Sequence, residues 1–219
     1  MSENYIFITP GDNLAVRPFE PEIASAYKTA FAGEPWFEKT KCADKLLRCA
    51  GGLSPIEIGD LCTRCGETPS QEAYNENELT DTWRRVAANR PAAWYLELYE
   101  GRVALAGFFW QADAKLLADE KYPDVPEMSE WLGERFGDEP FVWLDEMFAN
   151  KVVRQSANLQ RFEGAIDGIR DILGLDRLAY RTITPQMKRA ALRLGVTPLK
   201  ALSEVPDRRD FIDIVRKTS

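Results

Sequence analysis

The segment FVWLDEMFA, residues 141–149, decides the fold of this chain. It is apolar except for two adjacent carboxylates, Asp145 and Glu146. A run with so little alternation of apolar and polar residues predicts a β-strand that is covered on both faces. A helical pattern follows over residues 159–173, and another strand pattern over 178–183. The order strand, helix, strand predicts a parallel crossover.

Upstream of this unit the sequence predicts a β-hairpin. Residues 92–99 and 102–110 are rich in aromatic and aliphatic side chains, and Glu100-Gly101 between them is a turn signal. Because a hairpin pairs its strands antiparallel, the chain is expected to combine antiparallel and parallel pairing in one sheet.

The remaining predicted elements are strands and helices that precede and follow these segments in the chain. They are a first strand over 13–18, helices over 21–31 and 76–89, a helix from Thr184 to Gly195, and two short strands around 196–202 and 210–215. The predicted fold class is therefore α/β, with a mixed parallel and antiparallel sheet flanked by helices.

The whole chain, residues 1–219, is predicted to form one domain that carries two insertions. Residues 37–70 contain the four cysteines. Residues 111–140 contain 9 Asp/Glu against 3 Lys/Arg and interrupt the strand pattern, which indicates an acidic, partly helical insertion between strands. This insertion could attract a polyamine, an aminoglycoside or a basic peptide, or it could be a solvated surface.

Composition restricts the chemistry that the chain can perform. It has 219 residues and no histidine, which excludes Ser-His-Asp and Cys-His nucleophilic mechanisms and His-ligated metals. Its net charge of -7 disfavours an indiscriminate nucleic-acid binder. Residues 1–150 contain 14 Lys/Arg against 27 Asp/Glu, and residues 151–219 contain 14 against 8. The C-terminal part could therefore hold an anion while the N-terminal part attracts a cation, although two solvated surfaces would have the same composition.

The sequence predicts a cytoplasmic protein without a membrane or nucleic-acid partner. The first residues, MSENYIFITPGDN, lack a basic segment leading into an apolar run, and no stretch of the sequence is apolar enough to span a bilayer. In a reducing compartment, clustered cysteines are better explained by metal binding than by disulfides.

The cysteines predict a structural zinc site. Cys62-Thr-Arg-Cys65-Gly66 has the spacing with which two thiolates meet one ion, and the glycine permits a tight turn. Cys42 and Cys49 would supply the other pair, which gives a closed site of four thiolates. Two alternatives are reduced, partly buried cysteines without a metal and a redox dithiol made by Cys62 and Cys65. The second lacks the strand-to-helix context of a thioredoxin-like motif.

Two segments resemble the GNAT-type N-acetyltransferase superfamily, and so does the predicted order of strands and helices. The first runs from the strand at 144–149 through RQSANL, residues 154–159, into a helix. It is similar to the family's fourth strand and its Arg/Gln-x-x-Gly-x-Gly/Ala loop. The second joins the strand at 178–183 to AALRLGV, residues 190–196, which is similar to the family's Y-x-x-L-G-F helix end. The resemblance covers residues 13–216 apart from the acidic insertion and implies a GNAT-like fold.

This resemblance implies acetyl-CoA as the acyl donor and a primary amine as the acceptor. Free backbone amides at a helix start bind phosphate without needing a side chain, so the loop before the helix would hold the coenzyme A pyrophosphate. Backbone groups at Met147 and Ala149 would meet the pantetheine arm. The residues implied for the pyrophosphate are Arg154, Gln155, Ser156, Ala157, Asn158 and Leu159.

Acetyl transfer needs a base that takes a proton from the acceptor ammonium. Glu146 occupies a position where many family members carry an acidic residue, so the resemblance implies Glu146 as the base, with Asp145 as the second choice. In a regular strand the two carboxylates would point to opposite faces. For both, the alternative is a carboxylate paired with a nearby arginine. Ala191 occupies the position where many members place a tyrosine general acid.

The sequence therefore predicts an acetyl-CoA-dependent N-acetyltransferase that acts on a cationic primary amine. The alternative is a catalytically inactive GNAT-like binding or scaffold protein with a structural zinc site. Ala157 and Leu159 stand where the loop pattern has glycine, and a Cβ there can obstruct the approach of the backbone to phosphate. Fold alone does not decide between the two functions.

Overall fold

A computed structural model describes residues 4–34, 36–43, 53–63, 65–123, 125–150, 159–182, 184–200 and 209–216. The strands are β1 (Asn4–Ile8), β2 (Thr40–Cys42), β3 (Ser70–Glu72), β4 (Ala92–Tyr99), β5 (Arg102–Ala112), β6 (Phe141–Ala149), β7 (Arg177–Thr182), β8 (Leu199–Lys200) and β9 (Asp210–Val215). The α-helices are α1 (Glu20–Ala32), α2 (Glu76–Asn89), α3 (Ala114–Lys121), α4 (Pro126–Phe136), α5 (Leu159–Leu173) and α6 (Pro185–Arg193).

The main sheet has the strand order β1-β4-β5-β6-β7-β9-β8, and β2 pairs with β3 in a separate antiparallel ribbon. Strands β6 and β7, which flank α5 in the sequence, pair in parallel from Val142 with Leu178 to Leu144 with Tyr180. The other neighbouring strands are antiparallel. The mixed α/β class and the parallel crossover predicted from the central segment are confirmed.

Helices cover both faces of this sheet. One face packs its side chains, Trp143 among them, against α1, α2, α3 and α4, and the other packs Val142 and its neighbours against α5 and α6. Val142 and Trp143 are consecutive on β6, and both are fully buried. This burial on both faces explains the unbroken apolar run of the strand. Among the described helices, none is long and apolar enough to cross a membrane.

The predicted position of the first strand is wrong. Residues 13–18 begin with a short 3-10 helix, Asn13–Val16, and the first strand is β1, which pairs with β4. The amide of Ala15 donates to the Asp12 carbonyl at 2.9 Å, so hydrogen bonds within the turn replace those of a partner strand. The alternation of Leu14 and Val16 arises because one is exposed and the other buried on this turn.

The acidic segment 111–140 is partly helical, as predicted. Helices α3 and α4 lie within it and bury Leu117, Trp131 and Phe136 in the same core as α1 and α2. Their acidic residues lie on the outside of this packed layer, for example Glu127 and Glu130, which are exposed. That this segment and residues 37–70 are insertions in one domain stays a prediction.

Gly107 lies on β5 where a side chain would overpack the core. A Cβ at this position would stand 2.8 Å from Cε2 of Phe109, which is fully buried, and 3.2 Å from Cε of Met147. We expect Gly107→Ala to lower the free energy of unfolding by about 1–3 kcal/mol. Gly164→Ala on α5, where no described atom lies within 4 Å, should raise it by about 0.5–1 kcal/mol. Urea denaturation measures the free energy of unfolding of both variants. If the two substitutions change it by the same amount and in the same direction, the packing argument is contradicted.

Candidate active site

A cleft opens in the sheet where β6 and β7 part. Their last paired residues are Leu144 and Tyr180, although β6 continues to Ala149 and β7 to Thr182. About 510 Å³ of space, including the open mouth, lies between the two strands. Beyond Leu144, β6 remains paired with β5, so its opposite edge faces the cleft. The lining includes Phe31, Trp36, Glu146, Arg181, Met187 and Arg209.

A β-bulge in β6 changes the direction of one carboxylate. Phe108 of β5 pairs with Glu146, but the next residue, Phe109, pairs with Leu144. Asp145 is therefore an extra residue in β6. Because a bulge interrupts the alternation of side chains, Asp145 and Glu146 can lie on the same face. The expectation that they point to opposite faces was stated for a regular strand, and the bulge removes that condition.

Asp145 is held in a buried ion pair. Its side chain is 5% exposed, and its carboxylate lies 2.5 Å from Nζ of Lys121 at the end of α3. Nε1 of Trp143 donates to the same carboxylate at 3.2 Å. Burial alone would raise the pKa of Asp145, but the cations of Lys121 and Arg181 outweigh it and lower the pKa below its ordinary value. These contacts favour an ionised, paired carboxylate over a proton acceptor.

The pKa of Glu146 is shifted in the opposite direction. The hydroxyl of Tyr27 on α1 donates to Oε1 of Glu146 at 3.1 Å. Burial, followed by the neighbouring charge of Asp145, raises the pKa of Glu146 to about 7. A carboxyl with this pKa can accept and release a proton near neutral pH. The cations that limit the rise belong to Lys121, Arg181 and Arg209.

Removing the partner of Asp145 tests this assignment. We expect Lys121→Met to lower the free energy of unfolding by about 3 kcal/mol at pH 7, since it leaves a buried carboxylate unpaired. In the wild type the pKa of Asp145 is lowered, so this stabilisation is present above the ordinary carboxyl pKa and is lost as the pH falls. In the variant, burial instead favours protonation. The difference in stability should therefore shrink as the solution is acidified.

The control for Lys121→Met is Lys115→Met on the same helix. Lys115 pairs with Asp119 at 2.9 Å, but its side chain is 81% exposed. Exposed pairs contribute little, so we expect Lys115→Met to change the free energy of unfolding far less than Lys121→Met does. Urea denaturation at several pH values compares the two variants. If Lys121→Met lowers the free energy of unfolding as little as Lys115→Met does, or if its effect becomes larger in acid, the buried ion pair is contradicted.

The residues predicted to bind coenzyme A are only partly described. The amide of Asn150 donates to the Ala104 carbonyl at 2.9 Å, toward the β5 side. Because successive amides of a strand point to opposite edges, those of Ala149 and Met147 face the cleft. Both predicted pantetheine contacts therefore lie where the strands part. Leu159 begins α5, and the predicted residues Arg154, Gln155, Ser156, Ala157 and Asn158 lie outside the described residues.

Three of the four cysteines meet beside the β2–β3 ribbon. The Sγ atoms of Cys42, Cys62 and Cys65 all lie within 4.8 Å of one another, and those of Cys42 and Cys65 are 3.9 Å apart. Zinc–sulfur bonds of about 2.3 Å in a tetrahedral site separate the sulfurs by about 3.8 Å, so this cluster fits a zinc ion. Cys49, the fourth predicted ligand, lies outside the described residues.

The local backbone supports metal binding at this cluster. Gly66 has a φ of 70° and donates to the Cys62 carbonyl at 2.8 Å, which forms the predicted tight turn. Backbone hydrogen bonds from Glu67 and Thr68 lower the pKa of the Cys65 thiol to about 6. The thiolate is the metal-binding form of cysteine. A third cysteine, here Cys42 of β2, is expected for a metal site and is not needed by a dithiol pair.

Sequence reasoning missed two side chains of this site. Tyr27 lies within the helix predicted over 21–31 and Lys121 within the acidic segment 111–140, and neither was predicted to belong to the site. The signal for Tyr27 was its polar tip on an otherwise apolar face, since a buried hydroxyl needs a hydrogen-bond partner. No local pattern marks Lys121, because its role depends on where α3 ends relative to β6.

Comparison with known proteins supports the fold. No family model and no curated protein matches the sequence. Arylalkylamine N-acetyltransferase 2 from Aedes aegypti is 8% identical, with 98% of this chain and 100% of that chain covered and a TM-score of 0.53. Mosquito arylalkylamine N-acetyltransferase like 5b is also 8% identical, with coverages of 97% and 100% and a TM-score of 0.52. At such low identity the likeness is one of fold, and this fold is the one of GNAT N-acetyltransferases.

Proposed function

We propose that the chain is an acetyl-CoA-dependent N-acetyltransferase that acts on a cationic primary amine. The observation that carries the proposal is Glu146, a partly buried carboxyl with a raised pKa, which lines the cleft between β6 and β7. The strand edge facing the cleft offers the amides of Met147 and Ala149 to an extended, amide-bearing arm such as pantetheine. Base and donor site are thus neighbours on one strand.

The chain's own residues would perform three tasks in the reaction. Glu146 takes one proton from the acceptor ammonium and leaves a neutral amine that can attack a carbonyl carbon. Asp145, fixed by Lys121, keeps a negative charge beside Glu146 and so favours its proton uptake. The amides of the β6 edge hold the arm of the donor. Acetyl-CoA supplies the acetyl group as a thioester.

In this proposal Asp145 is not the base, and Ala191 cannot be the general acid. Asp145 acts through Glu146, since its pKa is lowered by its ion pair. Ala191 is fully buried on α6 and carries no proton donor. Tyr180 lines the cleft, but its hydroxyl donates to the Met187 carbonyl at 3.2 Å, and burial raises its pKa. Water is therefore our choice of proton source for the departing thiolate.

A second candidate function is an inactive GNAT-like binding or scaffold protein. Ala157 and Leu159 in place of glycine favour it, because a Cβ can keep the backbone from a diphosphate. Both candidates include a structural zinc site. We propose that Cys42, Cys62, Cys65 and Cys49 hold one zinc ion that stabilises residues 37–70.

An acetyl-transfer assay separates the two functions. The full chain is incubated with acetyl-CoA and, in turn, spermidine, an aminoglycoside, an arylalkylamine and a lysine-containing peptide. An active enzyme releases the free thiol of CoA only when an amine is present, and the acetylated amine is identified by mass spectrometry. Binding of acetyl-CoA without amine-dependent thiol release from any of these classes would favour the scaffold.

A further inference from the structure

A row of polar side chains leads away from Glu146 through the core. Tyr27, whose hydroxyl donates to Glu146, is only 4% exposed. Its ring meets that of Tyr74 edge to face, with the centroids 5.0 Å apart and an angle of 88° between the planes. The Tyr74 hydroxyl donates to Oε2 of Glu38 in a short hydrogen bond. With Glu146, these side chains form a row that runs from β6 through α1 to the segments that flank β2 and β3.

The far end of this row reaches a second cavity. Glu38 and Tyr74 line a space of about 560 Å³, open to solvent, between α1 and the β2–β3 ribbon. The near end, Glu146, lines the cleft between β6 and β7. Tyr27 lies between the two spaces, packed against Phe31 at 4.3 Å between ring centroids. The row therefore connects the cleft to a second space that is open to solvent.

The proposed reaction needs a route by which a proton can leave Glu146. Each acetyl transfer places one proton on Glu146, and the cleft through which that proton could leave is the space that the substrates would fill. We propose that Tyr27, Tyr74 and Glu38 form a proton relay between Glu146 and the second cavity. Its role in turnover rests on the proposed function, whereas the connection itself does not.

The proton balance of the relay is simple. One proton leaves the Glu146 carboxyl for the oxygen of Tyr27, while Tyr27 passes its own hydroxyl proton to Tyr74. Tyr74 passes its proton to the Glu38 carboxylate, which releases it to solvent. Only O–H bonds break and form, and the two phenols are neutral before and after.

The electrostatics keep both phenols in the form that a relay needs. Burial first, and then the neighbouring carboxylates, raise the pKa of Tyr27 and of Tyr74 above the ordinary value. A neutral phenol can donate and accept at the same time. Hydrogen bonding with Tyr27 acts in the opposite direction on the pKa of Tyr74, which couples the two hydroxyls.

Other charged groups face the two ends of the relay and stay unchanged in the test. Around Glu146 they are Asp145 of β6, Lys121 of α3, Arg181 of β7 and Arg209 before β9. Around the second cavity they are Lys28 of α1, Lys39 before β2, Glu57, and Glu72 of β3. Conservative variants within the relay therefore report the relay and not these charges.

The first experiment does not require the protein to transfer acetyl groups. Carbon-13 NMR follows the titration of Glu146 in the full chain, with the Glu146→Gln spectrum as assignment. We expect a midpoint near 7 in the wild type and in the control Tyr5→Phe, whose ring is half-exposed on β1. Tyr27→Phe should raise the midpoint by about one pH unit, because a hydrogen bond to the carboxylate is lost. Tyr74→Phe should shift the midpoint in the wild type but not in the Tyr27→Phe background.

The second arm is kinetic. Tyr74→Phe and Glu38→Gln should each lower kcat by about 10-fold or more, with KM for both substrates changed less than about two-fold. If the wild type transfers acetyl groups and these variants keep its kcat, the relay is wrong and the proposed function stands. If the wild type transfers none but Tyr74→Phe still shifts the titration of Glu146, the proposed function is wrong and the connection stands. An unchanged titration in Tyr74→Phe overturns the connection itself.

Discussion

Glu146→Gln should lower kcat by about 10²–10³-fold and leave the affinity for acetyl-CoA within about two-fold of the wild type. The amide has the size of the carboxyl group and can still accept the hydrogen bond from Tyr27, but it cannot take a proton from the acceptor. Steady-state thiol release gives kcat, and calorimetry gives the affinity. A fall in affinity with little change in kcat would assign Glu146 to binding instead of proton transfer.

The pH dependence of turnover follows from the same residue. Only the carboxylate form of Glu146 accepts a proton, and its pKa is about 7. In the wild type, kcat/KM should therefore rise with pH and level off above about 7. The pH profile of Glu146→Gln should lack this rise near pH 7. Its activity should return only at alkaline pH, where the free amine accumulates. Glu130→Gln, an exposed change on α4, is the control and should keep the wild-type profile.

Cys62→Ser should abolish stoichiometric zinc binding. We expect about one zinc per chain in wild-type protein purified without a chelator, and affinity at least about 10³-fold weaker in the variant. The melting temperature should fall as well, because metal binding stabilises the fold of the segment that it closes. Metal analysis after dialysis gives the zinc content, and cobalt substitution reports thiolate ligation through its absorption.

The control for Cys62→Ser lies within the same turn. Thr63 is exposed between Cys62 and Cys65, so Thr63→Ala changes the segment without removing a sulfur. It should keep the wild-type zinc content and melting temperature. A wild-type zinc content well below one per chain, or unchanged zinc in Cys62→Ser, would contradict the metal site.

The central elements of the fold could be predicted because their signals are local and long. The bounds predicted for α2, β6 and α5 agree with the structure, and so does the turn at Glu100-Gly101. The first strand could not be placed in the same way. Strand β1 has five residues, and its assignment depends on pairing with β4, far along the chain. A short alternation at Leu14 and Val16 then gave a misleading strand signal.

The same distinction between local signals and long-range pairing applies to the candidate site. Adjacent carboxylates and the Cys62–Cys65 spacing are visible in the sequence, so Glu146 as a candidate base and these cysteines as candidate metal ligands could be predicted. The bulge at Asp145 depends on the register of β5 against β6, which no local pattern specifies. The contact of Tyr27 with Glu146 joins residues 119 positions apart. Long-range register and helix placement therefore set the two pKa values that distinguish Glu146 from Asp145.

Isothermal titration of acetyl-CoA and of CoA into the full chain tests the central claim most directly, because donor binding is required by the proposed reaction and not by the fold. We predict a one-to-one complex with both ligands and a dissociation constant between about 1 and 100 μM. Absence of heat at high micromolar ligand, in protein that shows a cooperative thermal unfolding transition, would contradict the transferase and leave a scaffold with the same fold.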